Sequence, residues 1–206
     1  MHIPSSTTME IDVLTFADAL KGSDKKDYDT EKWLYVPDFY SEYRYILGTR
    51  GKNPLICIGI NPSTAEPDNL DNTLKSVERI ALGNGFDSFI MFNVYAQRAT
   101  RPSDMEKELN ELLHRENMKA FEYVLSLSEN EPCVWAAWGT IIEERDYLTD
   151  CVLDMIEIGR KYNAQWVSAG SRSKKRGHPH HPLYLKKDSV VEPFDVASYC
   201  ENLRKV

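Results

Sequence analysis

From about residue 54 onward, short apolar runs alternate with stretches in which apolar side chains recur every three or four positions. The runs LICIGI (55–60), SFIMFNV (88–94), CVWAAW (133–138) and AQWVSA (164–169) are nearly continuous in apolar residues. They are also rich in branched and aromatic side chains, as strands buried on both faces are. Between them, Leu74, Val77, Ile80 and Ala81 form one helical stripe. Leu109, Leu112, Leu113, Phe121, Val124 and Leu125 form a second, and Ile141, Leu148, Val152 and Met155 a third. Ser103 with Glu106 and Thr140 with Glu143 have capping-box spacing and predict where two of these helices begin. Strand–helix–strand alternation of this kind implies a parallel sheet covered on both faces.

The first 50 residues follow a different pattern. MEIDVLTFADALKGS predicts a short helix, GSDKKDYDTEK an exposed linker, and YSEYRYILGT an edge strand or hairpin arm. This divides the 206 residues into an N-terminal extension, 1–30, and a single α/β domain, 31–206. The apolar and charged fractions, 42% and 28%, are ordinary for a soluble globular chain. No apolar stretch has the length of a membrane span, and the N-terminus lacks the pattern of a secretory signal. A cytoplasmic protein without a membrane partner is therefore expected. Cys57, Cys133, Cys151 and Cys200 are widely spaced with no Cys-x-x-Cys pair, which argues against a disulfide framework or a metal cluster.

A ligand of an open α/β sheet binds outside the carboxyl ends of its strands. That rule brings together NPSTAEPDN (61–69), NVYAQRATR (93–101), WGT (138–140) and SRSKKRGHPHHPLYL (171–185), each following an apolar run. The net charge of −7 disfavours nonspecific coating of nucleic acid, whereas Arg172, Lys174, Lys175 and Arg176 supply a local basic face.

Four of these segments carry a resemblance. GINPST (59–64), FIMFNVYAQR (89–98), CVWAAWGTIIEE (133–144) and GHPHHPLYL (177–185) resemble, in order, the motifs of the uracil-DNA glycosylase superfamily. More closely, YRYIL, NPSTAEPDNLDNT, NVYAQRAT and HPLYL are similar to a bacterial and phage family known as domain of unknown function 1643. The superfamily resemblance implies a three-layer α/β/α sandwich with a central, mostly parallel four-stranded sheet. It also implies a monomeric hydrolase without cofactor or metal that acts on a flipped base in DNA.

Under that resemblance Asn61 orients the attacking water, and His181 or His178 serves the departing base. Asp71 is a candidate water activator alongside Glu66 and Asp68, its alternative being a helix N-cap. Gly59, Ile60, Pro62, Ser63, Asn93 and Tyr95 would surround the base, with Tyr95 or Phe92 standing in for a stacking phenylalanine. Gln97, Arg98 and Arg101 would meet phosphates or excess carboxylates. Arg172, Lys174, Lys175 and Arg176 would bind DNA, with Leu183 and Tyr184 as a wedge. The small Ser63 leaves room at C5 for a hydroxymethylated or glucosylated pyrimidine, as in anti-phage defence or repair. Two other readings use the same residues: a nucleoside or nucleotide N-ribosyl hydrolase or transferase, and a base-binding module without chemistry.

Overall fold

The computed structural model describes residues 1–4, 10, 12–23 and 26–204. Its centre is formed by the four apolar runs. Strands β3 (Pro54–Gly59), β4 (Ser88–Asn93), β5 (Cys133–Ala136) and β6 (Gln165–Ala169) pair in parallel, in the order β4-β3-β5-β6. The sheet does not stop at four. Strand β1 (Trp33–Val36) pairs antiparallel with β2 (Ile46–Thr49), which pairs antiparallel with β4. At the other edge β7 (Val191–Pro193) runs antiparallel to β6. The result is a mixed seven-stranded sheet, ordered β1-β2-β4-β3-β5-β6-β7. The arm expected at an edge, β2, is covered by β1, a fully buried four-residue strand too short for periodicity to reveal.

Alternation along the strands divides the core. Ile56, Ile58, Ile90, Phe92, Val134 and Ala136 face one side. There they meet α1 (Phe16–Lys21), α3 (Glu111–Leu125), α4 (Tyr147–Lys161) and α5 (Val196–Arg204). Leu55, Cys57, Phe89, Met91 and Trp135 face the other side, against α2 (Asn72–Gly83). The α2 stripe is the one read from the sequence: Leu74, Val77, Ile80 and Ala81 are all buried. Burial of each large aliphatic side chain contributes about 1.5–3 kcal/mol.

The two capping-box assignments are corrected. Ser103 lies in a 3₁₀ turn, Pro102–Asp104, and Thr140 in another, Gly139–Glu143. Helix α3 starts later, where Asn110 accepts the N–H groups of Leu112 and Leu113, and α4 follows Asp146. A four-residue spacing signal does not distinguish a 3₁₀ turn from a first α-turn, because both open with the same orphan donors.

The described part of residues 1–30 packs on the domain. Phe16 and Ala19 enter the main core, and the Phe16 N–H donates to the buried Glu116 carboxylate at 2.8 Å. Met9 and Ile11, at the start of the expected helix, and Asp24 and Lys25 of the expected linker lie outside the described residues. No helix among the described residues is long and apolar enough to cross a membrane.

Candidate active-site cleft

The register of the parallel strands builds the site. Gly59 pairs with Asn93 and Ile58 with Ala136, so β3, β4 and β5 end at one level. Their exits, with the 171–185 segment after β6, surround a cleft of about 870 Å³. Gly59, Leu74, Met91 and Arg44 lie at its floor beside Asn61, Pro62 and Ser63, while His181, Leu183 and Tyr184 line the side contributed by the last segment.

Asn61 is fixed by its own amide. Its Nδ2 donates to the Ala99 carbonyl at 2.7 Å and to the Pro62 carbonyl at 3.1 Å. Both amide hydrogens are thereby used, and Oδ1 remains as the acceptor end. Ser63 Oγ lies 3.2 Å from Thr100 Oγ1, which also accepts the His2 backbone N–H at 2.6 Å. The N-terminal segment thus braces one rim of the cleft. Asp71 lines the cleft and also caps α2, its Oδ1 accepting the Leu74 N–H at 2.9 Å. Asp68 instead accepts from Trp33 Nε1 at 3.0 Å, and neither it nor Glu66 lines the cleft.

The two histidines have separate environments. His178 is 2% exposed with both ring nitrogens engaged, at 2.8 Å from Tyr199 Oη and 3.3 Å from Glu143 Oε1. Trp138 Nε1 donates to that same tyrosine oxygen at 2.8 Å. Glu143, a carboxylate, can only accept, so the neutral imidazole carries its proton on Nε2, and its Nδ1 accepts the hydrogen of Tyr199 Oη. Burial pulls the His178 pKa below its usual value, and the Glu143 carboxylate opposes that. His181 is held differently: its Nδ1 accepts the Leu183 backbone N–H at 3.3 Å, capping the 3₁₀ turn Pro182–Tyr184. In the neutral ring the proton then sits on Nε2. Burial, followed by the neighbouring His180, holds the His181 pKa below its usual value, with Asp71 opposing. Of the two, His181 has the ring nitrogen left to serve a ligand.

Several expected contacts are not brought to the cleft. Tyr95 and Phe92 are fully buried, with Tyr95 Oη accepting the Asn110 N–H, so neither offers a stacking face. Gln97 is buried and its Oε1 accepts the Glu106 N–H at 2.9 Å. Arg98 is 0% exposed. It donates to the Ser63 and Ala65 carbonyls and to Tyr35 Oη, with its guanidinium 4.3 Å from the Tyr40 ring centroid. Arg98 therefore holds the 63–65 turn and does not meet a phosphate. Arg101 and Lys175 are exposed away from the cleft lining, and Arg176 pairs with Glu143 at 3.1 Å. Arg172 and Lys174 do line the cleft, and Leu183 and Tyr184 stand at its rim 38% and 75% exposed.

The sequence reading missed Arg44, a cleft-lining residue 1% exposed. Its Nη1 donates to the Ala65 carbonyl at 3.1 Å and its Nη2 to Asn93 Oδ1 at 3.3 Å. Burial first, and then the Arg98 cation, pull its pKa down to about 9, which leaves it charged at neutral pH. The available signal was a charged residue between Tyr43 and Tyr45 in a run leading into a buried strand. Asn117 of α3 was also missed; its Nδ2 donates to the Asn93 and Val94 carbonyls and pins the exit of β4. Among the described residues no cluster of three or more His, Cys, Asp or Glu is placed to hold a metal ion.

Residues 44–183, which include every residue lining this cleft except Tyr184, match the family model described as Protein of unknown function (DUF1643). The chain belongs to the DUF1643 family. No curated protein and no solved structure matches it. The matched span begins at Arg44 and closes at Leu183, so the cleft floor and the His-Pro segment both fall within the family's own boundaries.

Proposed function

We propose that this DUF1643 protein is a monofunctional DNA glycosylase that hydrolyses the N-glycosidic bond of a flipped, C5-substituted pyrimidine and leaves an abasic site. The observation that carries the reading is the joint presence in one cleft of Asn61, whose Oδ1 is left as acceptor, and His181, a neutral imidazole with its proton on Nε2. The ordered motifs that resemble the uracil-DNA glycosylase superfamily supply the substrate class.

The chemistry follows from those two groups. The bond between C1′ and the base nitrogen breaks with its electron pair leaving on the base, so negative charge grows on the base and positive charge on the sugar. His181 Nε2–H donates a hydrogen bond to an acceptor on the base as that charge develops. Asn61 Oδ1 accepts one hydrogen of a water and orients its oxygen toward C1′. The water adds to the sugar cation, and its proton passes to the departing base or to solvent. An amide cannot take that proton, which suits a step in which the cation forms before water adds. Ser63 and Thr100, both small, leave room for a substituent on the base. Arg172 and Lys174 would meet the backbone, and Leu183 with Tyr184 would fill the gap left in the base stack.

The test is base release from duplex oligonucleotides and genomic DNA containing uracil, thymine mismatches, or hydroxymethylated and glucosylated cytosine, scored as abasic sites. The expected result is release of at least one base by the wild type that is lost in Asn61→Ala and His181→Ala. Absence of release across the panel, with free nucleosides hydrolysed instead, would assign the cleft to nucleotide metabolism.

A further inference from the structure

Around Arg44, beneath the floor of the cleft, lie more hydrogen-bond donors than the protein uses. Arg44 and Arg98 are both buried, and their guanidinium groups meet at one oxygen, the Ala65 carbonyl. Among the described residues, every hydrogen-bond acceptor of either arginine is neutral: the Ser63 and Ala65 carbonyls, Asn93 Oδ1 and Tyr35 Oη. Two buried cations that share one oxygen and hydrogen-bond to no carboxylate, with Asp71 acting on Arg44 only through space, are an expensive arrangement for a core. Among the described residues, Arg44 Nε, Arg98 Nε and Asn93 Nδ2 are buried without a hydrogen-bond partner. All three are donors. Arg44 can only donate, so its bond to Asn93 Oδ1 also fixes which end of that amide stays unpaired.

Arg44 lines the cleft directly, whereas Asn93 lies behind Gly59, which lines the cleft with no side chain. A Cβ at that position would lie 3.2 Å from Asn93 Nδ2 and 2.5 Å from Met91 Cε, so any larger residue would close the approach. The nearer walls, Ile60, Leu74 and Met91, are apolar and suit a flat ring. A cleft floor lined by apolar side chains and by the buried cation of Arg44 asks for a planar group with an acceptor edge and negative charge.

We propose that Arg44 makes the cleft floor an anion subsite, in which the base is held by its acceptor edge and stabilised as it becomes an anion. The proposal rests on the glycosylase reading for the identity of the planar group, and it assigns Arg44, beyond His181, to the charge that develops on that group. Lys174 and Arg172, at the mouth, have no part in it.

The test compares two free planar pyrimidines that differ in charge and in one ring carbonyl oxygen: barbiturate, an anion at neutral pH, and uracil, which is neutral. Affinities would be measured by calorimetry for the full chain and for Arg44→Gln, Arg44→Lys and Lys174→Ala, with the Arg44 Nε–H resonance followed by NMR in the wild type. A hydrogen bond to a charged partner sets the expected preference for barbiturate at roughly 10–100-fold. That preference should vanish in Arg44→Gln, survive in part in Arg44→Lys, and be unchanged in Lys174→Ala. Equal or undetectable binding of the two bases by the wild type overturns the proposal, as does a preference that follows Lys174. If the Arg44 variants do not fold, a wild-type Arg44 Nε–H signal unmoved by barbiturate overturns it. A charge preference that depends on Arg44, without base release from any DNA, would keep the subsite and reject the glycosylase; base release without the preference would do the reverse.

Discussion

Replacing Tyr199 by phenylalanine removes one oxygen from the centre of a buried chain and leaves the packing volume almost unchanged. In the wild type that hydroxyl accepts from Trp138 Nε1 and donates to His178 Nδ1, both at 2.8 Å. Trp138 is 0% exposed, and the ring of His178 is buried with it. The substitution leaves one buried donor and one buried acceptor unsatisfied. Each such orphan costs about 1–3 kcal/mol, so Tyr199→Phe should destabilise the fold by about 3 kcal/mol. For a chain of this size that corresponds to a loss of roughly 6–12 °C in melting temperature. Calorimetry or guanidinium titration would measure it. A double cycle with Trp138→Phe isolates the shared bond: the second substitution should cost markedly less in the Tyr199→Phe background, because its donor has already lost its partner. The proposed base release should persist in folded Tyr199→Phe, since it is assigned to Asn61 and His181 and the ring nitrogens of His178 are engaged within the protein. A change below about 1 °C, or strictly additive costs in the cycle, would refute the buried chain and the engagement of His178 in it.

Other outcomes follow from the same geometry. His181 has a pKa below 6.5 because burial disfavours its cation, so the unfolded chain takes up its proton first as pH falls. Its contribution is present above pH 6.5 and lost on acidification. Melting temperatures from about pH 7.5 to 5 should fall less steeply in His181→Asn, although His178, with the same sign of shift, keeps part of the slope in both proteins. Asp71→Ala should cost about 1 kcal/mol as a lost helix cap, whereas Asp71→Asn should keep the wild-type melting temperature. Gly170 has φ 73° and its added Cβ would lie 2.6 Å from Leu185 Cδ2, so Gly170→Ala should destabilise by about 1–3 kcal/mol in chemical denaturation.

The four parallel strands, the α2 stripe and the segments that meet at their carboxyl ends were all legible in the sequence, because they depend on local periodicity and on a general rule of parallel sheets. The same rule placed Asn61, Ser63, Asp71 and His181 in one cleft, since each follows a strand or opens a helix. What stayed undecided was set by partners distant along the chain. Arg98 reads as a phosphate ligand until the Ser63 carbonyl, the Ala65 carbonyl and Tyr35 close around it. Tyr95 reads as a stacking ring until its hydroxyl is found against the N-terminus of α3. The choice between His178 and His181 needed Tyr199 and Glu143, which lie 21 and 35 positions from His178. Arg44 was invisible for the same reason: a charge in an apolar run acquires meaning only from which buried groups surround it and which it leaves unpaired. Periodicity records which face of an element is buried, whereas the hydrogen-bond partners of a buried polar group are chosen by tertiary packing.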